Sequence, residues 1–336
     1  MTFESHAGVA PTVSVVITLY NKGPYVQRAL ASVFAQSISP MEVIVVDDCS
    51  TDDGPMLAKR MLESWPTAPS RFIRRSRRGG SCARPRMTGF DAASGECVAY
   101  LDADDEWDPD FLKTCVSLLQ DHPECSAAGT LRRIKDGDEL QTPSLGPWSD
   151  FSGPIDLALF AQMRLRGLAP IRVQCSVFTR EAIIEAGGFS HAPRSSDVDF
   201  IYRFFLSAGR FAYSARPKAT IHRVPDSTMA SVPTLPVRTW RLRALEAAHV
   251  GNLPDAERSL LMADVRRSVR SDAAKALRDG KLTPAYSAEV RATLPLHEQV
   301  VIALAARLPT SLQRALGTFF QPFAAGLGRI KRRRLS

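Results

Sequence analysis

At 336 residues, 45% of them hydrophobic and 23% charged, the chain has the composition of a globular protein large enough for one substantial domain and an appendage. Its net charge of +8 favours anionic partners, but no aromatic interleaving or metal-finger spacing accompanies it, so no nucleic acid partner is expected. Six cysteines without C-x-x-C spacing, an N-terminus without a leader pattern and no apolar run of bilayer length argue against a disulfide scaffold, secretion and a membrane span, and imply reduced core cysteines in a cytoplasmic protein.

A β-branched run predicts the first strand at Val13–Leu19. The turn Asn21-Lys22-Gly23-Pro24 then leads into a helix with Val26, Ala29, Leu30, Val33 and Phe34 on one face. Val43–Val46 reads as a second buried strand ending in Asp47-Asp48-Cys49-Ser50-Thr51, which makes a parallel, right-handed β-α-β unit. Met56–Ser64 reads as a helix and Arg71–Ile73 as a third strand. Seven arginines lie between Arg71 and Arg86 around Gly79-Gly80. Most read as a solvated charge run, whereas Arg86 opens a short helix over Met87–Ala93.

Cys97–Asp110, CVAYLDADDEWDPD, carries the densest chemical signal. Its apolar run lacks polar alternation, so it predicts a strand covered on both faces that delivers Asp102, Asp104 and Asp105 to the carboxyl edge of an open α/β sheet, where ligands bind. Carboxylates this close repel one another, and a divalent cation relieves the repulsion. A helix follows with Phe111, Leu112, Cys115, Leu118 and Leu119 on one face, stopped near His122-Pro123. From Ala127 to Pro170, loops are predicted around a short strand near Thr130–Ile134. Beyond them come a strand at Val173–Phe178, a helix at Arg180–Ala186 stopped by Gly187-Gly188, a helix at Asp197–Ala208 and a strand at Ala219–Val224 carrying His222. Pro233 and Pro236 mark a linker to helical segments over 238–278 and 288–316, and a tail with Phe319, Phe320, Phe323, Leu327 and Ile330 ends in Lys331-Arg332-Arg333-Arg334. The expected division is an arm over 1–10, an α/β domain over 11–230 and a helical extension with a basic tail over 231–336.

In this order the segments resemble the inverting family 2 glycosyltransferases of the GT-A fold over about Pro11–Asp226. VSVVITLYNKGPYVQRALASVFAQS is similar to the family's opening strand and helix, MEVIVVDDCSTD to its nucleotide-binding strand end, and GECVAYLDADDEWDPDFL to its DxD strand and following helix. EAGGFS, SSDVDF and ATIHRV resemble the acceptor-side motifs. The resemblance implies a GT-A type, doubly wound, mixed and mainly parallel α/β sheet with a C-terminal helical extension. The implied reaction moves a sugar from a nucleotide-diphosphate donor, a UDP-sugar, to a hydroxyl of a glycan or lipid-linked acceptor with inversion, in polysaccharide or cell-envelope glycan assembly.

Residue by residue, the resemblance places Thr18, Tyr20, Asp48, Arg86 and Asp102 at the nucleotide-sugar. Asp48 would accept the uracil N–H, Arg86 would touch the nucleotide or its phosphates, and Asp102 would lie on the ribose side. Asp104 and His222 would hold Mn2+ or Mg2+, Asp105 would be a supporting or turn residue, and Asp197 would be the general base, with Asp199 as its rival. Trp107 is open between shaping the sugar site and packing. Pro85 and Met87 replace the family's Ala and Asn beside Arg86, which leaves Arg84 as a substitute. Ser196 stands where Glu is usual, which keeps a noncatalytic nucleotide-binding or scaffold protein of the same fold in view. A dinucleotide dehydrogenase is disfavoured because Tyr20-Asn21-Lys22-Gly23 lacks G-x-G-x-x-G. The apolar and basic tail implies contact with an anionic membrane surface.

Overall fold

A computed structural model describes residues 10–65, 68–190, 196–225, 253–281, 284 and 296–319. Strands β1 (Val13–Leu19), β2 (Glu42–Asp47), β3 (Ser70–Arg74) and β4 (Cys97–Asp102) run parallel in the order β3-β2-β1-β4. The chain builds outward from β1 to β3, then returns to set β4 on the other side of β1. This reversal opens a crevice at the carboxyl ends of β1 and β4. Every residue of β2 is buried, as its uninterrupted apolar run requires for a strand covered on both faces.

Helices α1 (Gly23–Phe34), α2 (Gly54–Glu63) and α3 (Ala83–Ala92) make the crossovers. Proline in the first turn starts α1 and α2, and Val26, Ala29, Leu30 and Val33 bury the α1 face at helical spacing. Two glycines set how closely the layers approach. A Cβ on Gly89 of α3 would lie 2.2 Å from Val16 Cγ1, and one on Gly95 would lie 2.8 Å from the Ser14 nitrogen.

The second half makes the sheet mixed. Strand β9 (Ser176–Thr179) lies antiparallel between β4 and β6 (Ala127–Asp136), and β10 (Phe211–Arg223) runs parallel to β6. Beside them are β5 (Glu106–Trp107), β7 (Glu139–Gln141) and β8 (Ser152–Ile155), with helices α4 (Phe111–Asp121), α6 (Arg180–Glu185) and α7 (Ser196–Leu206).

Several expectations need correction here. The strand expected at Thr130–Ile134 spans Ala127–Asp136, and the loops expected around it contain β7, β8 and helix α5 (Leu157–Leu165). Strand β8 contains Gly153 and Pro154, which the sheet tolerates because β8 pairs along only one of its sides, with β10. The strand expected at Val173–Phe178 begins as a 3-10 turn over Val173–Cys175. The strand of His222 begins at Phe211 and breaks register between Ser214 and Ala219, around Pro217.

The chain forms two compact units, residues 1–157 with 170–233 and residues 158–169 with 234–336. In the second unit α8 (Asp255–Arg278) carries Asp264, buried and 3.6 Å from Arg164 of α5. Arg270 of α8 forks to Glu298 of α9 (Leu296–Ala305) at 2.6 and 2.8 Å, and α10 (Thr310–Phe319) follows. The arm over 1–9, the linker prolines and the basic tail lie outside the described residues. No helix among the described residues is long and apolar enough to cross a membrane.

Glu42 ties the entry of β4 to its neighbours. Its Oε1 accepts from the Ser14 hydroxyl at 2.8 Å and from the Ser94 N–H and hydroxyl at 2.7 Å each, and Arg71 pairs with Oε2. Burial opposes ionisation of this carboxyl, but the hydrogen bonds from Ser94, Arg71 and Ser14 outweigh it and pull the pKa down to about 2. A lowered carboxyl stabilises the fold above its unfolded value and loses that contribution as pH falls through the folded one. Glu42→Gln is expected to lower the unfolding free energy in urea at pH 7 by about 2 kcal/mol. The gap to wild type should shrink as pH falls below 4.5 towards 2; a gap that stays constant over that window would rule out the ionised anchor.

Candidate active site

The crevice between β1 and β4 is lined first by the two strand ends. Thr18 and Asp102 are register partners, and the Thr18 hydroxyl donates to Asp102 Oδ1 at 2.9 Å. Left-handed turns at Asn21 (φ 48°) and Cys49 (φ 67°) follow β1 and β2. The Asn21 N–H donates to Ser50 Oγ at 3.0 Å, and its side-chain oxygen accepts from the Thr51 N–H at 2.8 Å, stitching the two loops together.

Asp48 stands just beyond β2. The Gly79 N–H donates to both of its oxygens at 2.8 and 2.9 Å, and Arg75 pairs with Oδ1. The Arg78 guanidinium lies 4.0 Å from the Tyr20 ring centroid. Arg71 binds Glu42, and Arg74 donates to the Ser50 carbonyl at 3.0 Å. Much of the arginine-rich stretch expected to be a solvated run is therefore engaged, Arg74, Arg75 and Arg78 at this edge and Arg71 at the opposite one.

Arg86 departs furthest from expectation. Helix α3 starts at Ala83 rather than Met87, so Arg86 sits inside it, turned toward the sheet and 0% exposed. Its Nη2 donates to Asp102 Oδ1 at 3.0 Å, and its Nη1 donates to Asp197 Oδ1. The guanidinium also lies 5.4 Å from the Phe189 ring, which stacks on Phe200 and meets Tyr100 edge-on. Burial opposes its charge, but the carboxylates of Asp197 and Asp102 hold the proton on it. Arg86, expected on the nucleotide, thus touches two carboxylates and no open surface.

Asp197 lies in the first turn of α7 with its side chain 23% exposed. Cys82 Sγ lies 3.6 Å from Asp197 Oδ1, and the Ser196 hydroxyl donates to the same oxygen at 3.4 Å. Burial pushes the Cys82 thiol up to about 12, so it remains protonated. Asp199 is a structural residue instead. It is wholly buried and accepts from Arg203 Nε at 3.0 Å, while Arg203 also donates to the carbonyls of Ala186 and Gly188 around the left-handed Gly187-Gly188 stop.

Beyond β4, Lys22 Nζ lies 2.9 Å from Asp104 Oδ2, and Arg28 donates to the Asp104 carbonyl. Asp105 is buried and accepts the His222 backbone N–H at 3.0 Å. Burial, and then the charges of Asp102 and Asp104, push the Asp105 carboxyl well above the usual range. The His222 ring lies 2.8 Å from Glu106 Oε1 through Nε2, and burial lowers its pKa. Trp107 is packing: it is buried, stacks on Phe111 at 4.4 Å and donates to the Gln174 carbonyl at 2.8 Å.

Asp104 and His222, expected to share a metal, have separate partners in Lys22 and Glu106. Among the described residues no three His, Cys, Asp or Glu side chains are grouped as a metal site. The hard oxygens still fit a divalent cation in chemistry: the repulsion among Asp102, Asp104 and Asp105 marks a place built for positive charge, and Asp104 is 19% exposed. Lys22, Arg28, Arg75, Cys82 and Glu106 were not singled out from the sequence. Lys22 alone carried a local signal, in the turn directly after β1.

Residues 14–187 match the model of Glycosyl transferase family 2. The chain belongs to this family. The amylovoran biosynthesis glycosyltransferase AmsB of Erwinia amylovora is 28% identical, over 63% of this chain and 69% of its own. Alignments to three other curated relatives cover 33%, 58% and 39% of their lengths, so the chain spans only part of them. Among solved structures, TarS of S. aureus in complex with UDP-GlcNAc superposes with a TM-score of 0.70 at 18% identity, over 94% of this chain and 92% of that one. The mannosyltransferase PcManGT of Pyrobaculum calidifontis, in complex with GDP-Man and Mn2+, gives 0.52 at 20% identity over 96% and 90%. The fold of this family 2 chain is the GT-A fold, a mixed α/β sheet with helices at the C-terminal end.

Asp199 and Asp197 should separate in a denaturation experiment. Asp199→Asn breaks a buried ion pair and is expected to cost about 3 kcal/mol of unfolding free energy in urea. Asp197→Asn leaves Arg86 its bond to Asp102 and should cost about 1 to 2 kcal/mol. Equal losses would contradict the structural role given to Asp199.

Proposed function

We propose that the chain transfers a sugar from a nucleoside diphosphate donor, a UDP-sugar, to a hydroxyl of a glycan or lipid-linked acceptor with inversion, using Mn2+ or Mg2+. The observation that carries this reading is one sheet edge with two kinds of carboxylate on it. Asp102 faces Thr18 at the reversal point and Asp48 ends the neighbouring strand, while Asp197 joins from the acceptor-side helix through Arg86. The UDP-GlcNAc bound to TarS supports the donor class, and AmsB supports a setting in polysaccharide assembly. The proposed setting is the cytoplasm, with the basic tail at an anionic membrane surface.

In this mechanism Asp48 accepts the imide N–H of uracil, since a carboxylate keeps lone pairs beyond those used by Gly79 and Arg75. Tyr20, with Arg78 over its ring, flanks the base, and Asp102, steadied by Thr18, takes the ribose hydroxyls. Asp104 is the residue that would hold a divalent cation, which when bound supplies Lewis-acid stabilisation of the departing diphosphate. His222, given as a second ligand by the resemblance, is assigned instead to Glu106. Asp197 takes the proton of the acceptor hydroxyl as that oxygen bonds to the anomeric carbon and the bond to the diphosphate breaks. A single displacement without a protein nucleophile inverts that carbon.

Calorimetry with UDP should show tighter binding in Mn2+ than in EDTA, with the difference abolished in Asp104→Ala. Equal binding in EDTA and Mn2+ would remove the metal from the proposal. Asp197→Asn should retain UDP affinity and lose about a hundredfold or more of acceptor-dependent turnover. NMR of the first product of a donor screen should show the anomeric configuration opposite to the donor's, and retention would overturn the mechanism. UDP binding by the wild type without turnover on any donor and acceptor would favour the noncatalytic reading raised by Ser196.

A further inference from the structure

The geometry points to Arg86 as a positioning residue that fixes the base Asp197 against the donor-side carboxylate Asp102, an assignment that rests on the transferase reading above. Three observations carry it. Arg86 has no exposed surface, and its helix cannot lift away readily, because Gly89 seats α3 directly on Val16 of β1. A nucleotide that reached its guanidinium would have to displace Asp102 or Asp197 from it.

The second observation is how the guanidinium divides its donors. Arginine often grips one carboxylate with two parallel bonds. Here Nη2 goes to Asp102 on β4, while Nη1 goes to Asp197 on α7. The width of one rigid, planar group therefore sets the separation of the two acids. Lysine, with a single ammonium on a flexible stem, holds no such fork.

The third observation is what surrounds Asp197. Among the described residues it meets the Cys82 thiol and Arg86 from α3 and the Ser196 hydroxyl from its own helix, with the Asp102 carboxylate on the far side of Arg86. Arg86 is the cation of this set, and the Phe189 ring lies 5.4 Å from its guanidinium. Without Arg86, Asp197 would lose the donor that fixes its orientation and would face another carboxylate, so it would turn more freely.

The test uses the full chain with Arg86→Lys and Arg86→Gln, reading UDP affinity and the kcat and KM of transfer. UDP affinity is expected to stay within about threefold of wild type in both, while kcat falls about tenfold or more and donor KM changes little. Should Arg86→Gln fail to fold, UDP affinity and the kcat against KM split of Arg86→Lys decide alone. A tenfold or greater loss of UDP affinity with kcat near wild type would return Arg86 to the nucleotide and overturn the inference. Failure of the wild type to transfer from any donor would remove the transferase reading itself, whereas transfer with wild-type kcat in Arg86→Lys would remove only the role of Arg86.

Discussion

A fully buried guanidinium with a carboxylate at each end is the constraint on which the site depends. Arg86 draws α3, β4 and α7 to one point, in surroundings that include the rings of Phe189, Phe200 and Tyr100. In such a medium an unpaired charge is costly, and removing one partner of a buried pair typically destabilises by about 3–5 kcal/mol. Arg86 has a partner on each side, so either carboxylate can be engaged by a ligand while the other still compensates the charge.

The sheet prepares this meeting. Reversal of strand order between β1 and β4 leaves a crevice at their carboxyl ends, and parallel register puts Thr18 directly beside Asp102. Antiparallel β9 then turns the second half of the chain, and the Gly187-Gly188 stop and α7 follow it. Asp199 and Arg203 lock that stop, which leaves the neighbouring Asp197 partly exposed. Two aspartates two residues apart thus take separate tasks because one faces the core and the other the crevice.

The strand ends were legible in the sequence because their signals are local. An apolar run that stops at a carboxylate locates Asp48 and Asp102 without knowledge of any partner. The pairings were not legible. Arg86 and Asp197 are 111 positions apart, and the partner of Lys22 depends on where β4 ends beside β1. Strands β7 and β8 and helix α5 were missed because Pro143, Gly146, Pro147, Gly153 and Pro154 look like continuous punctuation, and the pairing of β7 with β6 and of β8 with β10 is a tertiary effect that overrides them. The arginine stretch was misjudged for the same reason, since the carboxylates that engage it come from other strands.

The most direct measurement is an experimental structure of the chain with UDP and Mn2+ bound. The expected result is a guanidinium of Arg86 still shared by Asp102 and Asp197, with uracil on Asp48 and the metal on Asp104. Arg86 turned onto the diphosphate, with Asp197 released from it, would contradict the organisation described here.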